Sequence, residues 1–271
     1  MGFGINNSHF IGKNLNRHDN NLSTSFSRLA SAKRINSAKD DAAGIAIVER
    51  FAAQITGGSQ GFRNVNDGIS LAQTSDGFSA QITDLMQRGR DLAMQGANGS
   101  LSDTDRASLQ TEFSMIQDEV KRITESAEFN GQKLLNSDSE LSFQVDANVG
   151  DQVKIKTVDM QSELTSNGFF TADLSSQGGA SDALSVLDAS MAEVNKNRAE
   201  FGATMNRFES IGRNLLNKEE NLSAAKSRIL DTDYARTVSE RNRDLLLRDA
   251  ATALNGQANF SQQQILGLLS R

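Results

Sequence analysis

Leu187, Val194, Phe201, Phe208, Leu215, Leu222 and Ile229 recur at every seventh position without a break, in a chain that contains no proline. An apolar side chain every seven residues keeps one seam of a helix turned toward one partner. From Leu187 to Ile229 such a helix extends about 63 Å, at ~1.5 Å per residue. That is too long to fold back into a small globular core. Each of these side chains contributes roughly 1.5–3 kcal/mol when buried and nothing while it faces water. The stripe therefore requires a partner of comparable length.

The N-terminal half supplies candidates. Leu109, Phe113, Ile116, Val120, Ile123 and Ala127 alternate four and three apart, the spacing of one face of a bundle helix. Leu71, Phe78, Leu85 and Leu92 repeat every seven, as do Leu15, Leu22 and Leu29, with Ile11 four residues before them. Both ends of the chain read as long helices, and the middle must turn them round to meet. The expected fold class is mainly α: a long antiparallel helical bundle or coiled coil, its terminal helices paired, with a small β-hairpin in the middle of the chain.

Composition excludes several alternatives. Among 271 residues there is no cysteine, so there is neither a disulfide framework nor a cysteine metal site. No segment approaches the ~18 consecutive apolar residues that a membrane span needs, and the N-terminus shows no cleavable secretory pattern. The net charge of −6 is unevenly spread. Residues 1–40 carry six basic and two acidic side chains, a net of +4, while residues 229–271 balance. A basic arm can serve nucleic acid or anionic lipid. A single aromatic, Phe26, lies between its basic residues, fewer than a single-strand platform requires, and it reads as a solvated helix face.

In chain order, residues 1–39 read as one amphipathic helix with a seam too narrow to be stable alone. Residues 40–61 read as a short helix begun by Asp40 or Asp41 and ended by Gly57-Gly58. A helix over about 61–95 follows, then a loop at Gly96–Gly99. Ser102 with Asp105 resembles a capping box that opens a helix running to about Glu128. Phe129-Asn130-Gly131 makes a tight turn. Alternation at Leu141, Phe143, Val145, Val153 and Ile155 predicts a β-hairpin over about 141–156. Residues 160–180, rich in Ser, Thr, Gly and Gln, read as a loop. The long helix starts at Ser181, is interrupted at Asp231 and Asp233, and gives way to a last helix carrying Val238, Leu247, Leu254, Ile265, Leu268 and Leu269.

Nothing here points to catalysis. His9 and His18 have no partner at metal-ligand spacing, and His18 sits within the Ile11/Leu15/Leu22 stripe. Gly57–Gly61 follows no strand and precedes no Lys-Ser/Thr, so it is no phosphate cradle. Asp40-Asp41 reads as a helix start rather than an acid/base pair. No enzyme activity, cofactor or metal is expected.

The chain resembles the bacterial flagellins. The stretches SRLASAKRINSAKDDAAGIAI (27–47), RNVNDGISLAQTSDG (63–77), FNGQKLL (129–135), NLSAAKSRILDTDYA (221–235) and QANFSQQQILGLLSR (257–271) carry the resemblance, in order and at opposite ends. It implies an inner core made of an N-terminal helix (1–40) and a C-terminal helix (231–271). It implies an outer core from 41–180, with the hairpin and loop, and from the long helix over 181–230. Large outer domains are missing, so this looks like a minimal flagellin. Two departures stand out: a loose start carrying both histidines, and Gly89 at a position where an apolar residue is common, which allows a close helix contact at some cost in helix stability.

By resemblance, the chain is a structural subunit that polymerises into the extracellular flagellar filament for motility, exported through the type III apparatus without a cleaved signal. The implied partners are copies of itself, the export apparatus and chaperone, the filament cap and hook-junction proteins, and an innate-immune Toll-like receptor that senses the monomer; nucleic acid and membrane insertion are not expected. An inner-core seam is expected at Ile11, Leu15, Leu22, Leu29, Leu247, Leu254 and Leu268, and an outer-core seam at the Leu187–Ile229 stripe. Arg88, Leu92 and Glu112 are expected to form one patch that contacts the next subunit or the receptor; the alternative puts Leu92 in the Leu71/Phe78/Leu85 core seam. The competing functional readings are a hook–filament junction protein, a surface adhesin or immune ligand, and a cytoplasmic coiled-coil signalling protein, which would leave the hairpin and end motifs unexplained.

Overall fold

The computed structural model describes residues 2–269. Six helices and two small hairpins follow one another: α1 (Gly2–Ser31), α2 (Ala42–Gly96), α3 (Asp103–Ser126), β1 (Glu128–Phe129), β2 (Gln132–Lys133), β3 (Glu140–Gln144), β4 (Gln152–Lys156), α4 (Met160–Ser166), a 3₁₀ turn (Phe169–Thr171), α5 (Gln177–Leu230) and α6 (Tyr234–Leu269). The chain divides into two compact units, one of Gln54–Glu219 and one joining the residues up to Ala53 with those from Glu220 onward.

In the Gln54–Glu219 unit, α2 and α5 pack antiparallel with matched side-chain sizes. The α5 stripe is mostly large, and three of the α2 positions facing it are glycines. A Cβ on Gly68 would stand 2.7 Å from Phe208 Cζ, one on Gly89 3.6 Å from Leu187 Cδ2, and one on Gly96 3.2 Å from Ala180 Cβ. Each step of seven down α2 is matched by a step of seven up α5. The same register sets Ser75 opposite Phe201 and Ile82 opposite Val194. Ion pairs edge the seam: Arg90–Asp188 at 2.7 Å and Arg198–Asp76 at 2.8 Å. Leu187, Val194, Phe201, Phe208 and Leu215 are all buried. Gly89 is thus the predicted close contact, with Phe113 on its other side.

The predicted break at Gly57-Gly58 is absent: α2 runs through both glycines and through Gly61. Gly57 and Gly61 serve packing instead. The tip of the β3–β4 hairpin lies on this face, and a Cβ on Gly57 would overlap Ala147, one on Gly61 the Val145 carbonyl. Asn64 Nδ2 donates to Gln144 O at 2.7 Å, and Lys218 Nζ meets Asp146 Oδ2 at 2.6 Å, so the tip is tied to both long helices. Burial raises the Asp146 carboxyl, but the Lys218 ammonium and the Ala147 N–H outweigh it and hold the group below its ordinary value.

The Ser102–Asp105 capping box forms as read, with Asp105 N donating to Ser102 Oγ and Ser102 N to Asp105 Oδ2. The hairpins pair antiparallel, Glu128 with Lys133 and Glu140 with Lys156 marking their registers. The supposed loop over 160–180 is a correction. It contains α4 and the 3₁₀ turn, and it buries Met160, Leu164, Phe169 and Leu174 in the main core. Gln117 Nε2 donates to Phe169 O at 2.7 Å, and the Phe169 ring packs edge-on to Phe113 at 6.2 Å. Four apolar side chains in a polar stretch were enough to close the bundle.

The other unit is built round an elbow. α1 ends at Ser31, short of the predicted 39, because Ala32 turns left-handed at φ 58°. Lys33 then bridges Asp231, Arg34 N donates to Leu230 O at 2.6 Å, and Thr232 N donates to Ala32 O at 3.1 Å. Asp40 accepts from Asn36 N and Ser37 N, which lowers its pKa, and Asp41 caps α2 through Gly44 N. Ile35, Val48 and Leu230 form the small apolar core beneath this elbow.

Candidate assembly surface

α1 and α6 pair beyond the elbow. Tyr234 Oη donates to Leu29 O at 2.7 Å at its start. Further along, His18 Nδ1 donates to Asp244 Oδ1 at 2.9 Å, with the Asp244 residue 5% exposed. The Arg241 guanidinium lies 5.5 Å from the Phe26 ring centroid, within cation–π range. Leu22, Ser25 and Thr237 complete the buried line. On α6 this seam follows Thr237, Arg241, Asp244 and Arg248, alternately four and three apart, and it is polar.

The α6 seam read from the sequence is therefore corrected. Leu247 and Leu254 do not turn toward α1; they are 44% and 60% exposed. The His18–Asp244 pair fixes which face of α6 meets α1, and Leu247 and Leu254 lie to one side of it. Of the α1 seam, Leu22 is buried and Leu15 and Leu29 are partly so. The side chains of Ile11, Leu268 and His9 lie outside the described residues. Leu222 and Ile229 at the end of the α5 stripe are partly buried.

The result is an inside-out pair: polar groups meet within it, and large apolar side chains face out. Phe10, Phe26, Leu246, Leu247, Leu254 and Phe260 are all exposed. Phe10, Phe26, Leu246 and Phe260 fell outside the stripes chosen from the sequence. The available signal was His18, since a histidine inside a narrow apolar seam needs a polar mate.

In the Gln54–Glu219 unit, Arg88 and Glu112 come together across α2 and α3, with Nη2 2.7 Å from Oε1 and both side chains exposed. Leu92 does not join them. It is 2% exposed and belongs to the main core, because Arg88 and Leu92, though one turn apart, straddle the edge of the α2 apolar face.

Among the described residues no group of three or more His, Cys, Asp or Glu is placed to hold a metal ion, and no helix is long and apolar enough to cross a membrane.

Comparison with known proteins gives one consistent answer. Residues 6–140 match the bacterial flagellin N-terminal helical region and residues 184–269 the bacterial flagellin C-terminal helical region. A flagellin of Halalkalibacterium halodurans is 37% identical, the alignment covering 96% of this chain and 94% of that protein. The flagellar filament 30.7 kDa core protein of Treponema maltophilum is 34% identical, covering 97% of each. The crystal structure of Bacillus cereus flagellin superimposes with a TM-score of 0.53 at 30% identity, over 60% of this chain and 94% of that one. A putative flagellar hook-associated protein from Vibrio parahaemolyticus shares the fold, with a TM-score of 0.59 at 15% identity over 71% of this chain and 100% of that one. Both terminal regions, near-complete coverage by relatives and the paired-helix architecture agree: the chain belongs to the bacterial flagellins, structural proteins of the flagellar filament rather than enzymes.

Proposed function

We propose that this chain assembles into the extracellular filament through its terminal helices, α1 and α6 making an inner core and the α2–α5 bundle an outer core. One observation carries the reading. The α1–α6 pair spends its polar groups on itself and leaves Phe26, Leu247, Leu254 and Phe260 exposed. Apolar surface at this density on both helices is stabilised only when other copies cover it, and head-to-tail contacts that do not close give filaments. Membership of the family supports export through the type III apparatus with a chaperone and contact with cap and hook-junction proteins. In the free subunit, the exposed Arg88–Glu112 pair is the element offered to a Toll-like receptor and, in the filament, to the next subunit.

Negative-stain microscopy of purified protein at rising concentration and salt tests the central reading. Long uniform filaments are the expected outcome. Short capped oligomers would favour a hook–filament junction role, and dispersed monomers a surface adhesin or immune ligand. A receptor-reporter assay on monomer tests the second element: Arg88→Ala with Glu112→Ala should weaken signalling, and a silent wild type would remove this pair from consideration.

A further inference from the structure

The loop between α2 and α3 holds an Asn-Gly pair, Asn98-Gly99, in which the Asn98 side-chain carbonyl is held by neighbouring donors. We propose that Asn98 is a self-modifying site, at which its side chain cyclises onto the Gly99 nitrogen and ages to aspartate or isoaspartate. The sequence has four Asn-Gly pairs, at Asn98, Asn130, Asn167 and Asn255. Glycine leaves the following nitrogen sterically open in all four, so the fold decides between them.

Asn98 is exposed, and its side-chain carbonyl is held by two donors from one residue: Ser100 N at 3.1 Å and Ser100 Oγ at 3.0 Å. The Ser100 N–H needs an acceptor, which fixes the orientation of the Asn98 amide. This arrangement holds the side-chain carbonyl in an Asx turn that spans the Gly99 peptide unit. It also sets two donors at the oxygen where negative charge develops when that nitrogen attacks, the geometry that stabilises a tetrahedral oxyanion. Among the described residues the other three sites lack this. Asn167 sits at φ −74°, ψ −9°, and the Gly168 N–H donates to Thr165 O at 3.0 Å. Asn255 lies inside α6, where the next N–H belongs to the helix ladder. Asn130 is left-handed at φ 49° in the two-residue β1–β2 turn, and none of the described residues donates to its side-chain carbonyl.

The step balances without an oxidant or cofactor. The Gly99 nitrogen bonds to Asn98 Cγ, the Cγ–Nδ2 bond breaks, and the Gly99 proton leaves with the amine as ammonia. Water then opens the five-membered imide at either carbonyl, giving aspartate or isoaspartate. The consequence is local. Asn98 O accepts from Arg106 Nη2 at 2.9 Å, and Arg106 Nε also donates to Gly96 O at 3.0 Å. Aspartate adds a negative charge beside this buried guanidinium, and isoaspartate lengthens the backbone that it clamps.

The test is peptide mapping by mass spectrometry, with fragmentation that separates isoaspartate from aspartate, on folded protein incubated near neutral pH. Asn98 should convert several-fold faster than Asn130, and denaturing the protein should erase the difference. Ser100→Ala removes one of the two donors and should slow Asn98 several-fold while Asn130, the internal standard, keeps its rate. Gly99→Ala should slow Asn98 by crowding the nucleophile. Equal rates at Asn98 and Asn130 in folded protein, or an unchanged Asn98 rate in Ser100→Ala, would overturn the assignment.

Discussion

At Gly68 a single methyl group decides whether α2 and α5 can close. Its Cβ would press on the Phe208 ring at 2.7 Å, whereas Gly77, two and a half turns on, has nothing within 4 Å. Alanine gains about 1 kcal/mol over glycine in an exposed helix, and overpacking a core costs about 1–3 kcal/mol. Gly77→Ala should therefore stabilise and Gly68→Ala destabilise, as read from urea unfolding midpoints at constant slope. The same measurement separates Leu92 from its neighbour. Leu92→Ala should cost about 2–5 kcal/mol as a core truncation, while Arg88→Ala stays within about 1 kcal/mol, as expected of an exposed ion pair.

Among the elements, the segment over 160–176 has moved furthest from its sequence reading. With Met160, Leu164, Phe169 and Leu174 in the core, its deletion should abolish the cooperative thermal transition followed by circular dichroism. The hairpin tip makes a pH prediction. Asp146 is held below its ordinary value, so it contributes stability above the unfolded value near 3.8, and that contribution disappears as pH falls through the folded value. Asp146→Asn removes it at every pH. The stability gap between wild type and variant should stay constant from neutral pH to about 5 and close below about 4; a gap that persists at low pH would deny the Lys218 pair its role.

For the whole molecule, each unit's apolar core sets what it can do alone. The Gln54–Glu219 unit has the large cluster around Phe113, Phe169 and Phe208, while the terminal unit has Ile35, Val48 and Leu230 and a polar seam. Limited proteolysis of monomer should trim both terminal helices back toward this bundle and spare them after assembly. Leu247→Asp or Leu254→Asp should leave monomer unfolding unchanged, because both side chains already face water, yet abolish filaments, where the charge would be buried unpaired. Normal filament yield from both variants would mean that this face stays wet in the polymer.

The sequence by itself determined the elements whose signal is local: a heptad stripe that only a long helix can carry, a Ser102–Asp105 cap, an alternating hairpin and a turn at Asn130-Gly131. Those patterns act within one or two turns of chain, so no distant residue can overrule them cheaply. Tertiary structure alone decided which face of a helix meets which partner. Gly57, Gly58 and Gly61 carry a helix-breaking propensity of about 1 kcal/mol each, and the hairpin tip packed against Gly57 and Gly61 outweighs it. The 160–180 stretch is polar on average, yet four large buried side chains and Ala180 fix it, a contribution that composition averages away. On α6, Leu247 and Leu254 form the more apolar stripe, but the partner helix brings His18, and a half-buried histidine beside the buried Asp244 needs that carboxylate more than two leucines need cover from α1.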